Sequence, residues 1–267
     1  MERYAEWLRE SWSGEPVEEV DLCGADLRGA RLVGAGITNS NLSGARLIRA
    51  DLSCARLVGV NLRDANLSQG SLHGALLAGC RLTAAVLLEC DLDDVALTAT
   101  DAGGVTASKA VWKRARLAGA NFRMADFSNG VFEDCDLSNA CLDRSCLTRA
   151  RFVRCTLDAS SFDFADLREA AFTGCTGIKT SFRGGDLEGT YIEHSRLHEA
   201  DFYWSELHRF AHFNCDFTRA RWPAQVAAAY GPSGISAPQV QPKPLYRRGT
   251  GKAELQNLVQ DLTDAEG

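Results

Sequence analysis

Ten cysteines, five histidines and 35 carboxylates give this 267-residue chain material for metal, redox or acid–base chemistry. His194, His198, His208 and His212 gather near Glu193, Glu199, Asp201 and Glu206. A spacing of four makes a metal pair only on a helix, where such residues share a face. Cys141 and Cys146 match no zinc motif. Neither a Ser-His-Asp order, a phosphate loop nor a catalytic cysteine context is visible. The expectation is a non-enzyme with no catalytic residue, no metal and no cofactor. Surface groups then become the candidates. Asp91, Asp93 and Asp94 form a local acidic patch, and Tyr191, Tyr203, Trp204, Phe210 and Phe213 cluster late in the chain. Clustered aromatics suit a protein interface, unless the chain's own C-terminal segment covers them.

These side chains hang on a five-residue period. From Leu22 to Trp222, every fifth residue is large: 37 of 41 positions are Leu, Ile, Phe or Trp, the exceptions being Ala102, Ala107, Gly177 and His212. Two residues before each stands a small one, with Phe210 the single departure among 41. A helix would turn successive large residues by about 140° and form no stripe. A strand, with its period of two, would alternate their faces. The pattern closes if the chain turns a corner every five residues, with one large and one small side chain inside each wall and four walls to a coil. Cys80, Cys90, Cys135, Cys155, Cys175 and Cys215 then take the small inward position as apolar fillers. Tyr191, Tyr203, Trp204 and Phe213 fall at outward positions.

Units such as Ala25-Asp26-Leu27-Arg28-Gly29 and Ala165-Asp166-Leu167-Arg168-Glu169 carry the motif small–Asp/Asn–Leu/Phe–polar–polar. The chain thereby resembles the pentapeptide repeat family over residues 20–222. The resemblance implies an all-β fold, a right-handed quadrilateral parallel β-helix; the hand comes from the family and not from the spacing. About ten coils at roughly 4.8 Å make a rod near 50 Å long.

An open solenoid end exposes core and strand edges, so caps are expected. Tyr4, Trp7, Leu8 and Trp12 at helical spacing, stopped by Gly14-Glu15-Pro16, predict an N-terminal capping helix over 1–16. The β-helix occupies 17–222, free of proline. A Pro-rich segment and a C-terminal amphipathic helix fill 223–267, beginning with a short helix over Ala224–Tyr230. In the C-terminal helix Leu255, Leu258, Val259 and Leu262 share one face, which must be buried on the rod, on a partner or on a second subunit. Ala102 and Ala107 are too small to fill a coil. Either residues 98–111 loop outward, dividing the rod, or two thinly packed walls continue the coil.

Net charge is −6, which argues against direct nucleic-acid binding. No apolar run approaches the roughly 18 residues of a membrane span, and the acidic start predicts no secretory signal. Reduced thiols in a cytoplasmic protein are expected. The family resemblance implies a protein-binding rod, with two functions to weigh, of which the first is preferred here as the family's best-defined biochemical role. One is a DNA-mimicking protector of a type II topoisomerase, DNA gyrase or topoisomerase IV, against drugs or toxins, dimerising through its C-terminal coils. The other is a rigid interaction scaffold, adaptor or immunity-type inhibitor in a secretion or toxin system. Mimicry requires a continuous acidic face, yet residues 20–222 carry 25 acidic and 23 basic groups.

Overall fold

In the computed structural model, which describes residues 16–224 and residue 226, the five-residue period becomes a four-walled parallel solenoid. Strands are short: β1 (Val17–Glu18), β2 (Gly36–Thr38), β3 (Arg56–Val58), β4 (Leu76–Ala78), β5 (Val111–Lys113), β6 (Val131–Glu133), β7 (Arg151–Val153), β8 (Ala171–Thr173), β9 (Thr176–Ile178), β10 (Tyr191–Glu193), β11 (Arg196–His198) and β12 (Ala211–Phe213). Pairing is parallel and in register at one coil, as in Ile37 with Leu57 and Phe132 with Phe152. We number the walls by their central residues: the first contains Val17 and Ile37, the second Leu22, the third Leu27 and the fourth Leu32. The first wall carries β1–β4 and β9 with β11; the fourth carries β5, β6, β7, β8, β10 and β12.

The corners explain why five residues suffice. Each corner from Glu19 to Arg219 has positive φ two residues after the wall centre; 12 are glycine and 29 are not. This is the backbone of a type II turn at its third residue. The tight form closes with a bond such as Ala25 N–H to Leu22 O at 3.0 Å. Non-glycine residues tolerate that conformation because most corner amides also bond the next coil, as Cys54 N–H does to His73 O at 2.7 Å.

One side-chain stack fills the interior. Up to Leu97 the centres are aliphatic, and beyond it two phenyl ladders take over. On the fourth wall Phe132, Phe152 and Phe172 stack at 4.8 and 4.7 Å. Facing them on the second wall, Phe162, Phe182, Phe202 and Trp222 stack at 5.2, 5.0 and 4.4 Å. Their shared spacing is the coil repeat itself, so identical rings lie flat on one another. Inward threonines and thiols are satisfied by one rule: each donates to the carbonyl of the central residue 23 positions back, as Thr100 does to Leu77 at 2.9 Å and Cys90 to Leu67 at 2.9 Å. The inward serines Ser145, Ser160 and Ser205 instead donate to the wall centre three residues back, at 2.6, 2.8 and 2.6 Å.

The outward loop weighed for 98–111 does not form. Parallel bridges run unbroken through Arg81, Asp101 and Asn121, and through Val86, Thr106 and Asp126. Ala102 and Ala107 are fully buried centres. Trp112 completes their coil: its indole is buried and lies edge-on to Phe122 and Phe127 and flat on Phe132. The largest side chain thus fills what two alanines leave. Gly177 is accommodated similarly, since a side chain there would collide with Thr180 Oγ1 and approach Leu197 within 3.1 Å. The capping helix expected for 1–16, apart from Pro16, lies outside the described residues, as does the C-terminal helix over 252–264. Of the short helix expected at 224–230, Ala224 and Val226 are described and take helical backbone.

Candidate interaction surface

The fold distributes the candidate residues by coil and wall. Asp91, Asp93 and Asp94 lie together on the fourth wall, yet cations stand one coil away. Arg114 donates two bonds to Asp94, at 2.8 and 2.6 Å, and holds its carboxyl below the usual range. Burial raises the Asp93 carboxyl and Lys113 opposes that rise. The same pattern recurs along the rod. Arg154 binds Glu133 at 2.6 Å and Asp134 at 2.7 Å, Arg123 binds Asp143 at 2.7 Å, Arg149 binds Glu169 at 2.9 Å, and Arg221 binds Asp201 at 2.9 Å. Acid and base alternate up one corner as Asp94, Arg114, Asp134 and Arg154. Among these residues charge is neutralised between neighbouring coils, and no acidic stripe results.

The four late histidines are not brought together. His198 Nε2 lies 2.8 Å from Asp216 on the first wall, and His194 Nδ1 lies 2.8 Å from Asn214 at a fourth-wall corner. His208 is exposed on the third wall. His212 is a wall centre in the last coil, where burial lowers its pKa. Asp216 is lowered to about 2, first by the Thr218 hydroxyl and then by the Thr218 amide and His198. Among the described residues a different set, His73, Asp91 and Asp93, has donor atoms within 4.8 Å of one another. The sequence alone does not show it, because His73 and Asp93 are one coil apart, a distance that only the solenoid period makes short. With Lys113 and Arg114 directly above, the set is better matched to internal pairing than to a cation.

Nor do the five late aromatics form one patch. Tyr191 and Phe213 are half-buried on the fourth wall, where Tyr191 OH donates to Glu193 Oε2 at 3.2 Å. Burial, then the Glu193 charge, pushes the Tyr191 hydroxyl up to about 12. Tyr203 and Trp204 stand on the opposite, second wall, with ring centroids 4.8 Å apart. Phe210 occupies the inward small position and packs against Phe202 and Trp222 at 6.1 and 6.2 Å, inside the last coil. An aromatic fits there because His212 is only partly buried at the centre beside it.

A second-wall corner gathers residues that look unrelated in the sequence. Met124, Phe164 and Trp204 are 69%, 56% and 64% exposed, and they occupy one column at two-coil intervals. Between them stand Arg144, whose guanidinium lies 5.8 Å from the Phe164 ring, and Gly184. The Phe164 ring lies over Gly184, where a Cβ would approach it within 2.5 Å. Arg183 lies 5.8 Å from the Trp204 ring, and Arg221 lies 5.0 Å from Tyr203. All three apolar residues have positive φ, where glycine or asparagine costs least. Their signature in the sequence is a spacing of 40, invisible until the coil length is known. At the top of this column a cleft of about 370 Å³ is lined by Tyr203, Trp204, Ser205, Glu206, Pro223 and Ala224.

The cysteines behave as core. All ten are free; Cys23 and Cys54 are exposed, while burial pushes the Cys80 and Cys90 thiols up to about 11 and 12. The thiolate is the nucleophile. Iodoacetamide at pH 8 is therefore expected to label Cys23 and Cys54 in the native protein and to reach Cys80 and Cys90 only after denaturation. Peptide mass spectrometry would read the order, and early labelling of Cys90 would contradict its buried position.

Among the described residues no helix is long and apolar enough to cross a membrane. The family description "Pentapeptide repeat region" matches residues 125–202, and "Pentapeptide repeats (8 copies)" matches 18–44, 30–69 and 97–134. A search of curated proteins returned no match. Among solved structures the chain is similar to HetL, a pentapeptide repeat protein involved in heterocyst differentiation regulation from the cyanobacterium Nostoc sp. strain PCC 7120. The identity is 25% over 82% of this chain and 91% of that one, with a TM-score of 0.45. It is similar also to full-length QnrB1, a plasmid-mediated fluoroquinolone resistance protein, at 16% identity over 80% and 97% of the two chains, with a TM-score of 0.26. Rfr23, a pentapeptide repeat protein from the cyanobacterium Cyanothece 51142, is 19% identical over 51% of this chain and 90% of its own, with a TM-score of 0.21. The family descriptions fall on the coils whose five-residue walls have just been traced, and this chain belongs to the pentapeptide repeat family.

Proposed function

We propose that this protein is a non-enzymatic, rigid protein-binding rod that works as an interaction scaffold. The observation that carries this reading is the column of Met124, Phe164 and Trp204, large apolar side chains held in solvent on a rigid corner. Exposed aromatics interleaved with arginine are the usual anchors of a protein interface. The filled interior supports the same reading, since the centres of the described coils are occupied by buried, closely packed side chains.

Protection of DNA gyrase or topoisomerase IV by DNA mimicry is the rival reading. It calls for unpaired carboxylates in a phosphate-like row, and the cross-coil pairs of Asp94, Asp134, Asp143 and Glu169 do not supply one. Two measurements separate the readings. In a gyrase supercoiling assay with a fluoroquinolone, the scaffold reading expects no protection by the purified protein; dose-dependent protection would replace it with mimicry. In capture from a native lysate, proteins retained by the wild type are expected to be lost from a Phe164→Asn, Trp204→Asn double variant. Equal recovery by both would remove the corner as the binding surface. Asparagine is chosen because it tolerates positive φ, so the rod should remain folded.

A further inference from the structure

We propose that the fourth wall is an interface between two copies of this chain, packed face to face and antiparallel about a two-fold axis that crosses the wall between Trp112 and Phe132. Such an axis runs along the strands and sets each column of one copy against the same column of the other, inverted. The column just before the wall centres reads Asp91, Val111, Val131 and Arg151. Inverted on itself, it places Asp91 against Arg151 at both ends and Val111 against Val131 in the middle. The column just after the centres sets Lys113 against Glu133. At the corner Asp94 meets Arg154 and Arg114 meets Asp134, and at the corner entering the wall Glu89 meets Arg149. Beside them Gly74 meets Gly174, so the backbones approach there with no side chain between. Asp93 falls on Val153, flanked by Arg151 and Arg154 of the second copy. Val33, 50% exposed, falls on the half-buried Phe213, and between these ends no like charges meet.

Pairing inside one chain does not account for these signs. Arg114 with Asp94 and Arg154 with Asp134 do pair within the rod. Asp91 and Arg151, like Glu89 and Arg149, stand three coils apart, about 14 Å, beyond reach of each other in one copy. The register is specific as well. With the axis half a coil lower, at Trp112, Lys113 and Arg114 face their own copies and Asp94 faces Asp134. A shift of a whole coil sets Arg49 on Arg149 in one direction and Asp93 on Glu193 in the other. Ten levels of a five-residue wall make a face of roughly 48 by 15 Å, about 700 Å², close to the roughly 800 Å² per partner of a standard interface. Val111, Val131, Val153 and Ala171, all half-buried, supply its apolar middle, and the corner charges make its rim. The second wall lies on the other side of the rod, so its aromatic column stays open on both copies. The inference thus goes beyond the scaffold reading and does not rest on it.

Sedimentation equilibrium on the full-length purified protein tests this without any partner. A dimer is expected, and added salt should weaken it. Asp91→Arg and Arg151→Asp each set like charges across the axis and should raise the dissociation constant by at least about tenfold. Both residue types already occupy this repeat position on the fourth wall, at Arg31 and Asp51, so the rod should stay folded, as circular dichroism would check. An equimolar mixture of the two single variants should dimerise as the wild type does, because every contact between positions 91 and 151 then joins opposite charges. A wild type that stays monomeric up to submillimolar concentration would overturn the proposal. So would a mixture that fails to recover the dimer. A dimer indifferent to both substitutions would overturn it in favour of another face, such as the C-terminal coils. The Phe164→Asn, Trp204→Asn variant leaves the fourth wall intact, so failure of the lysate capture and failure of this charge exchange are separate results.

Discussion

Trp112→Ala is expected to destabilise the protein by about 3–5 kcal/mol, the range for truncating a buried aromatic. The effect belongs at the top of that range. Leu97, Ala102, Ala107 and Trp112 make one coil, and two of its four centres are already alanine. The hydrogen-bonded coils on either side hold the backbone open, so the walls cannot collapse onto the vacancy. Trp112 Nε1 is moreover buried without a hydrogen-bond partner, so the indole is kept for its volume. Trp112→Phe should accordingly cost much less, because it keeps a ring and removes the orphaned donor. Adding Ala107→Leu to Trp112→Ala should restore part of the loss by filling the coil from another wall. Urea titration followed by circular dichroism would measure all three. Equal costs for the Ala and Phe variants would show that the indole does not hold this coil.

Arg154→Ala is expected to cost about 1–3 kcal/mol at pH 7, more than an ordinary surface arginine, because it strands a carboxylate. Arg154 follows β7 and reaches back one coil to Glu133 and Asp134. The Glu133 side chain is only 12% exposed, so water does not replace the guanidinium fully. Asp134 adds a pH dependence. Its carboxyl is held below the ordinary value, chiefly by the hydrogen bonds from Arg154. A depressed carboxyl contributes its stability above its unfolded pKa of about 3.9, and loses it as pH falls through the folded value. The Asp134 part of the difference between wild type and variant should therefore be full at pH 7 and shrink below about pH 4. Thermal melts across that range would check it; a gap that widened in acid would assign the stabilisation to something other than the ion pair.

The backbone of this protein was legible in its sequence because the fold is a local rule repeated. Each unit such as Ala25–Gly29 contains its own wall, its own small and large inward residues and its own corner. No long-range fact is needed to see that Leu27 is buried or that Cys90 is a filler. The unbroken register likewise follows from a period that never slips. Ala102 and Ala107 were ambiguous for a specific reason: the residue that fills their coil, Trp112, is itself an ordinary wall centre. Only the closed coil shows that it compensates for both.

The surface was not legible in the same way, because its neighbours lie one coil apart while its chemistry acts within a few ångströms. Asp94 with Arg114, Arg154 with Asp134, and His73 with Asp93 look unrelated at a separation of 20 and are adjacent in space. Conversely Tyr191 and Tyr203 look close along the chain and stand on opposite walls. The column of Met124, Phe164 and Trp204 exists only once four walls are stacked in phase. By itself the sequence determined the solenoid, its core and its corners, because each wall satisfies its own packing and hydrogen-bonding needs within five residues. Which charges neutralise one another, and which apolar groups share a face, the tertiary structure alone decided, because those contacts run across the chain direction, from coil to coil.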